Sequence, residues 1–214
     1  VCSNEDELRK QFILINNTRP LPKALIYELL PSVDGLPHRL SSRASAAKLV
    51  ERLNYDEDSS LYGQINQHTN PVGVLKDTVM QKIIMNSLND GALRDEAKYK
   101  DSDKRQFTIL NNFFAAVQNV FNDAWVGHKP KTSRLVHSAG LIAMGFVMEH
   151  LISSHDVKDE KGFITLLKPL KDQCSWTEGY WEFGKDSRRP WNGLQYVPRD
   201  YLELTQYLIR ILRS

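Results

Sequence analysis

The chain has 214 residues, 41% of them hydrophobic and 25% charged, an ordinary globular composition that excludes general disorder. With 28 basic and 26 acidic residues the formal net charge is +2, so any surface for nucleic acid has to be local. The most apolar run, residues 141–148, is far shorter than the roughly 20 residues a membrane-spanning helix needs, so no membrane partner is expected.

Acidic residues followed by Leu8, Phe12 and Ile15 predict a first helix over residues 4–16, capped by Asn4 and ended by Asn16 and Asn17. Thr18, Arg19, Pro20, Leu21 and Pro22 then form a rigid non-helical turn, because proline removes donors and holds the preceding residue extended. A short helix over 23–30, stopped by Pro31, leads into turn-rich residues 32–40. Apolar periodicity predicts a helix over 41–53, and residues 61–65 read as a short strand. Another helix is predicted over 74–88, followed by a charged, exposed connection over 89–104.

Two long helices follow, over 107–125 and 133–153, each with a broad apolar face and joined by a Pro-containing turn at 127–131. They are expected to form an antiparallel hairpin at the centre of the core. A short helix over 162–170 precedes an aromatic-rich loop or strand region, 176–196. Pro198 then opens a last helix to residue 213. The expected fold class is mainly α, a helical domain built on the long hairpin.

Catalytic patterns are missing from the sequence. The six histidines (His38, His68, His128, His137, His150 and His155) show no strong metal spacing, so no metal site is expected. A Gly-rich phosphate loop and a nucleophile elbow are also absent. Cys2 and Cys174 lie far apart and read as ordinary thiols, which suits a reducing cytoplasm. The opening residues lack a signal-peptide pattern, and the first residue is Val, which suggests a piece of a longer protein.

Three clusters of side chains could carry function. Asn16, Asn17, Thr18 and Arg19 place amides, a hydroxyl and a guanidinium beside a rigid turn, a set that can hold a phosphate and that also describes an ordinary helix C-terminus. Lys129, Lys131 and Arg134, with His128 and His137, gather at the turn between the long helices, where they could contact a DNA backbone. A charged turn between apolar helices is more commonly a solvated loop. Trp176, Tyr180, Trp181, Phe183, Trp191 and Tyr196, interleaved with Lys185, Arg188 and Arg189, have the composition of a base-stacking segment, although packing against the core is the commoner use of such residues.

Both ends of the chain carry a resemblance. The block QFILINNTRPLPKALIYELLP, Gln11 to Pro31, resembles the segment that follows the Asp-Gly-Gln-His-Arg signature of DGQHR-domain proteins. The tail GYWEFGKDSRRPWNGLQYVPRDYLELTQYLIRIL, Gly179 to Leu212, resembles the Trp-x-x-x-Gln-x-x-x-x-Asp ending of DndB- and DpdB-like members, accessory proteins of DNA modification clusters. The resemblance implies that residues 1–40 end a DGQHR-type domain and that 41–214 form a helical domain, the C-terminal part of an α+β protein related to ParB and sulfiredoxin. It implies a nucleotide- or phosphate-binding role for Asn16, Asn17, Thr18 and Arg19. The sequence VDGLPHR, Val33 to Arg39, echoes the signature, but it follows the Asn block and lacks the Gln. The nucleotide-binding half is therefore expected upstream of Val1, with ATP as its possible ligand. DndB-like members imply DNA binding and repression, and DpdB-like members imply nucleotide hydrolysis beside a DNA-modification enzyme. The alternative is a protein–protein interaction domain with no nucleic-acid contact.

Overall fold

The structure, a computed structural model, describes residues 38–94, 101–184 and 187–214. The expected helices over 4–16 and 23–30 and the Asn16-Asn17-Thr18-Arg19 turn lie outside the described residues. The described chain is mainly helical. In order it forms α1 (His38–Tyr55), β1 (Ile65–Asn66), β2 (Leu75–Lys76), α2 (Asp77–Asp90), α3 (Ser102–Val120), the single turn α4 (Asn122–Trp125), α5 (Ser138–His155) and α6 (Glu160–Leu167). A 3₁₀ segment (Lys168–Gln173), the strands β3 (Tyr180–Gly184) and β4 (Ser187–Pro190), a second 3₁₀ turn (Trp191–Gly193) and α7 (Pro198–Leu212) complete it. None of the described helices is long and apolar enough to cross a membrane.

One continuous apolar cluster runs from α1 to α7. Phe113, Phe114, Val117, Leu141, Met144, Met148 and Phe163 are all fully enclosed within it. α3 and α5 both feed this core, but each has its main neighbours elsewhere. α3 packs chiefly on α6 and α1, and α5 packs on α7 and α2. The edge-on contacts of the Phe113 ring with Phe114 at 5.4 Å and Phe163 at 5.3 Å tie α3 to α6.

Helix boundaries follow local chemistry. Asp159 caps α6 by accepting a 2.9 Å hydrogen bond from the Gly162 amide. Where a helix was expected from residue 133, α5 starts at Ser138. Leu135 and Val136 are buried without being helical, so their apolar character extends the helical pattern past the true start. The His137 side chain serves as the α5 cap, its Nδ1 accepting from the Ala139 amide at 3.2 Å.

The tail folds as an antiparallel β3–β4 hairpin lying against α7. Strand alternation puts Trp181 and Phe183 inward and Tyr180 and Glu182 outward. Trp181 packs edge-on against Trp176 at 4.9 Å and Tyr207 at 5.9 Å. Arg189 makes a two-pronged pair with the buried Asp200, at 2.8 and 3.1 Å, and Asp200 also accepts from the Gln195 amide at 2.7 Å. Hydrogen bonding to Arg189, ahead of the partly opposing cost of burial, holds the Asp200 carboxyl below the usual carboxylate range. The Asp of the Trp-x-x-x-Gln-x-x-x-x-Asp tail is thus a clamp that joins the hairpin to α7.

Candidate functional site: a groove beside the Lys129 turn

Two loops, distant in sequence, meet at one end of the bundle. Side-chain amides knit the first, between α1 and α2. Asn54, fully buried at the end of α1, accepts from the Ile65 amide at 2.9 Å and donates to Gln67 Oε1 at 2.9 Å. Asn70 donates to the Gly63 and Ile65 carbonyls, each at 2.9 Å. These bonds bring β1 beside β2 in parallel, Ile65 opposite Leu75. The chain passes closely over itself at Gly73, where any Cβ would collide with the backbone of Ile65 and Asn66.

The second loop is the turn after α4. Gly127 takes a left-handed φ of 75°, which turns the chain outward at His128 and Lys129. Thr132 then locks it. The Thr132 hydroxyl accepts from the Lys129 amide at 3.0 Å, and the Lys129 carbonyl accepts from the Thr132 and Ser133 amides at 2.9 and 3.0 Å. The loops are joined directly, because the Trp125 indole N–H donates to Gln64 Oε1 at 2.8 Å.

Between them run two adjoining clefts that share Val74 and Lys129. The outer one, of about 620 Å³, is walled by Pro71, Val72, Lys76, Lys129 and Pro130. The inner one, of about 380 Å³, is bounded by Gln118, Trp125, Val126, His128 and Val136. Among the described residues no carboxylate lines either cleft. Lys76, Lys129 and Lys131 are exposed, and none is paired with a carboxylate of the described residues.

Arg134 has a different position from the three lysines. It is 8% exposed and donates to the Pro130 carbonyl at 3.0 Å and the Asn192 carbonyl at 2.6 Å, while its own amide donates to the Trp176 carbonyl at 2.8 Å. Two of its guanidinium donors are turned inward, and it braces the Lys129–Pro130 turn against the tail. Lys76, on the α1–α2 loop, joins the cationic set and was not singled out from the sequence. A dense run of Asn and Gln from Asn54 to Asn70 was the available signal that this loop is knitted by side chains.

His137 lies under the same turn. Burial, then the positive charges of Arg134 and Lys76, push its pKa down to about 4, so near neutral pH it is uncharged and able to accept the capping hydrogen bond. Burial likewise pushes the Cys174 thiol well above its ordinary value, which keeps it protonated and unreactive. Among the described residues no group of three or more His, Cys, Asp or Glu side chains is placed to hold a metal ion.

The aromatic-basic tail is turned mostly inward. Trp176, Trp181 and Phe183 are buried, and Arg188 covers the exposed Tyr180 ring at 4.0 Å. No family model, curated protein or solved structure matches the chain.

Proposed function

We propose that this chain is a helical module that binds nucleic-acid phosphates through the groove of Lys76 and Lys129, with Lys131 at its edge. The observation that carries the reading is the groove's one-signed lining, cationic and, among the described residues, free of carboxylates, on a molecule whose total charge is only +2. Phosphate contacts of this kind are sequence-blind and salt-dependent, and they position a strand or duplex rather than read its bases.

The wider setting is proposed from the resemblance of Gln11–Pro31 and Gly179–Leu212 to DGQHR-domain proteins. In that reading the module, with α3 and α5 at its centre, is the C-terminal part of a cytoplasmic ParB/sulfiredoxin-related protein of a DNA modification or restriction system. It supports an upstream half that binds DNA or ATP. Asn16, Asn17, Thr18 and Arg19 would complete that half's phosphate site, and a DNA-modification enzyme would be the protein partner.

Titration of labelled DNA with the chain at several salt concentrations tests the module's role. Two to three phosphate contacts predict a slope of log affinity against log salt of about −2 to −3. A slope near zero, or no binding at low salt, overturns the reading.

A further inference from the structure

The groove has more in it than a phosphate track needs. A track needs exposed cations, which the outer cleft supplies in Lys76 and Lys129. The inner cleft adds a half-open chamber of about 380 Å³, within the size range of small-molecule sites. Its lining is mostly apolar and aromatic: Val74, Val136, the Trp125 indole and Val126, whose side chain is 61% exposed. At its wall, Gln118 donates through Nε2 to the Ser60 carbonyl at 2.7 Å, while its Oε1 takes no donor from the described residues. An exposed valine beside an indole and an amide oxygen that takes no donor from the described residues, next to a lysine, matches the parts of a nucleotide taken separately. The base is a flat apolar body with amino donors at its edge, and the phosphate is the anion.

Resting on the phosphate reading above, we infer that the groove receives an unpaired nucleotide, its base in the chamber of Trp125, Val126 and Gln118 and its phosphate on Lys129 and Lys76. In a duplex the bases are paired and stacked, so none enters the chamber without being extruded, at a cost of several stacking and pairing interactions. A single strand offers its bases freely and gains from apolar and aromatic contact. The Gln118 acceptor sharpens the choice of base. Cytosine and adenine present an exocyclic amino donor, whereas thymine presents a carbonyl at the equivalent edge and leaves Gln118 unmet.

The experiment compares four labelled probes at one low salt concentration: single-stranded oligo-dC, oligo-dT, an abasic strand of equal length and a duplex. The full chain is tested with the Gln118→Leu and Val126→Ser variants, the second at an exposed position where folding is undisturbed. The expected order is oligo-dC above oligo-dT, with the abasic strand and the duplex weakest and about five- to tenfold below oligo-dC. Val126→Ser should lower oligo-dC binding and leave abasic-strand binding unchanged, and Gln118→Leu should erase the dC-over-dT difference. Equal affinity for all four probes overturns the chamber but leaves the phosphate reading standing. A dC preference untouched by both variants also overturns it, since the base then sits elsewhere. Failure to bind any probe overturns both readings.

Discussion

The C-terminal hairpin and the Lys129 groove use similar residue types in opposite ways. The hairpin segment is rich in aromatic and basic residues, the composition of a strand-gripping surface, yet it turns most of its rings inward and ties Arg189 to Asp200 and Glu203. The groove has a plain sequence, but side-chain amides and a threonine fix its two loops so that lysines stand in solvent. Composition identifies which groups are present. Burial decides which of them can meet a partner, and Arg134, which props the Lys129 turn from beneath, shows that both uses occur in one short stretch.

If the hairpin is structural, breaking it should cost stability and spare binding. Trp181→Ala removes a ring that is 1% exposed and meets Trp176, Phe183 and Tyr207. It should destabilise by about 3–5 kcal/mol in denaturant titration, with DNA affinity per folded molecule unchanged. Phe114→Ala, fully buried, belongs in the same range, whereas Phe146→Ala should cost only about 1–2 kcal/mol, because that ring lies partly open beside the cleft between α2 and α5. Equal losses at the two phenylalanines would contradict the packing described for α3 and α5.

The clamp gives the next effect. Asp200→Asn leaves Arg189 with Glu203 as its remaining charged partner and should cost about 1–2 kcal/mol by thermal or chemical unfolding. A loss of DNA binding without a loss of stability would move the tail from scaffold to contact surface.

A smaller effect separates the groove's foundation from its lysines. The His137 pKa of about 4 in the folded chain lies below its ordinary 6.5. Between those values the unfolded chain binds more protons, so stability falls as pH drops through that window and is insensitive to this group above it. His137→Asn, which caps a helix without titrating, should flatten the stability–pH curve there. An unchanged curve would show that the cap is not coupled to protonation.

The helices were largely legible because apolar spacing reports burial directly. The last helix was expected over 198–213 and found at Pro198–Leu212, and the residues expected over 107–125 form α3 and α4. The start of α5 was not legible, since Leu135 and Val136 are buried in a non-helical bend that keeps the helical spacing of apolar residues. Lys129 and Lys131 could be found as a charged turn. Lys76 could not, because its place depends on Asn54 and Asn70 folding a loop back by hydrogen bonds that no periodicity records. Asn16, Asn17, Thr18 and Arg19 lie outside the described residues, and their role rests on the resemblance.

The central claim is that the groove's lysines bind phosphate. The most direct measurement is the DNA affinity of the Lys76→Glu/Lys129→Glu double variant, read by fluorescence anisotropy at low salt beside its melting temperature. Both side chains are exposed, and an acidic residue at position 76 stands at the N-terminus of α2, where the helix dipole favours it, so the fold should be retained. The account predicts at least a tenfold loss of affinity, a salt slope shallower by about 2 and a melting temperature within a few degrees of the parent. Unchanged affinity in a folded double variant would contradict it.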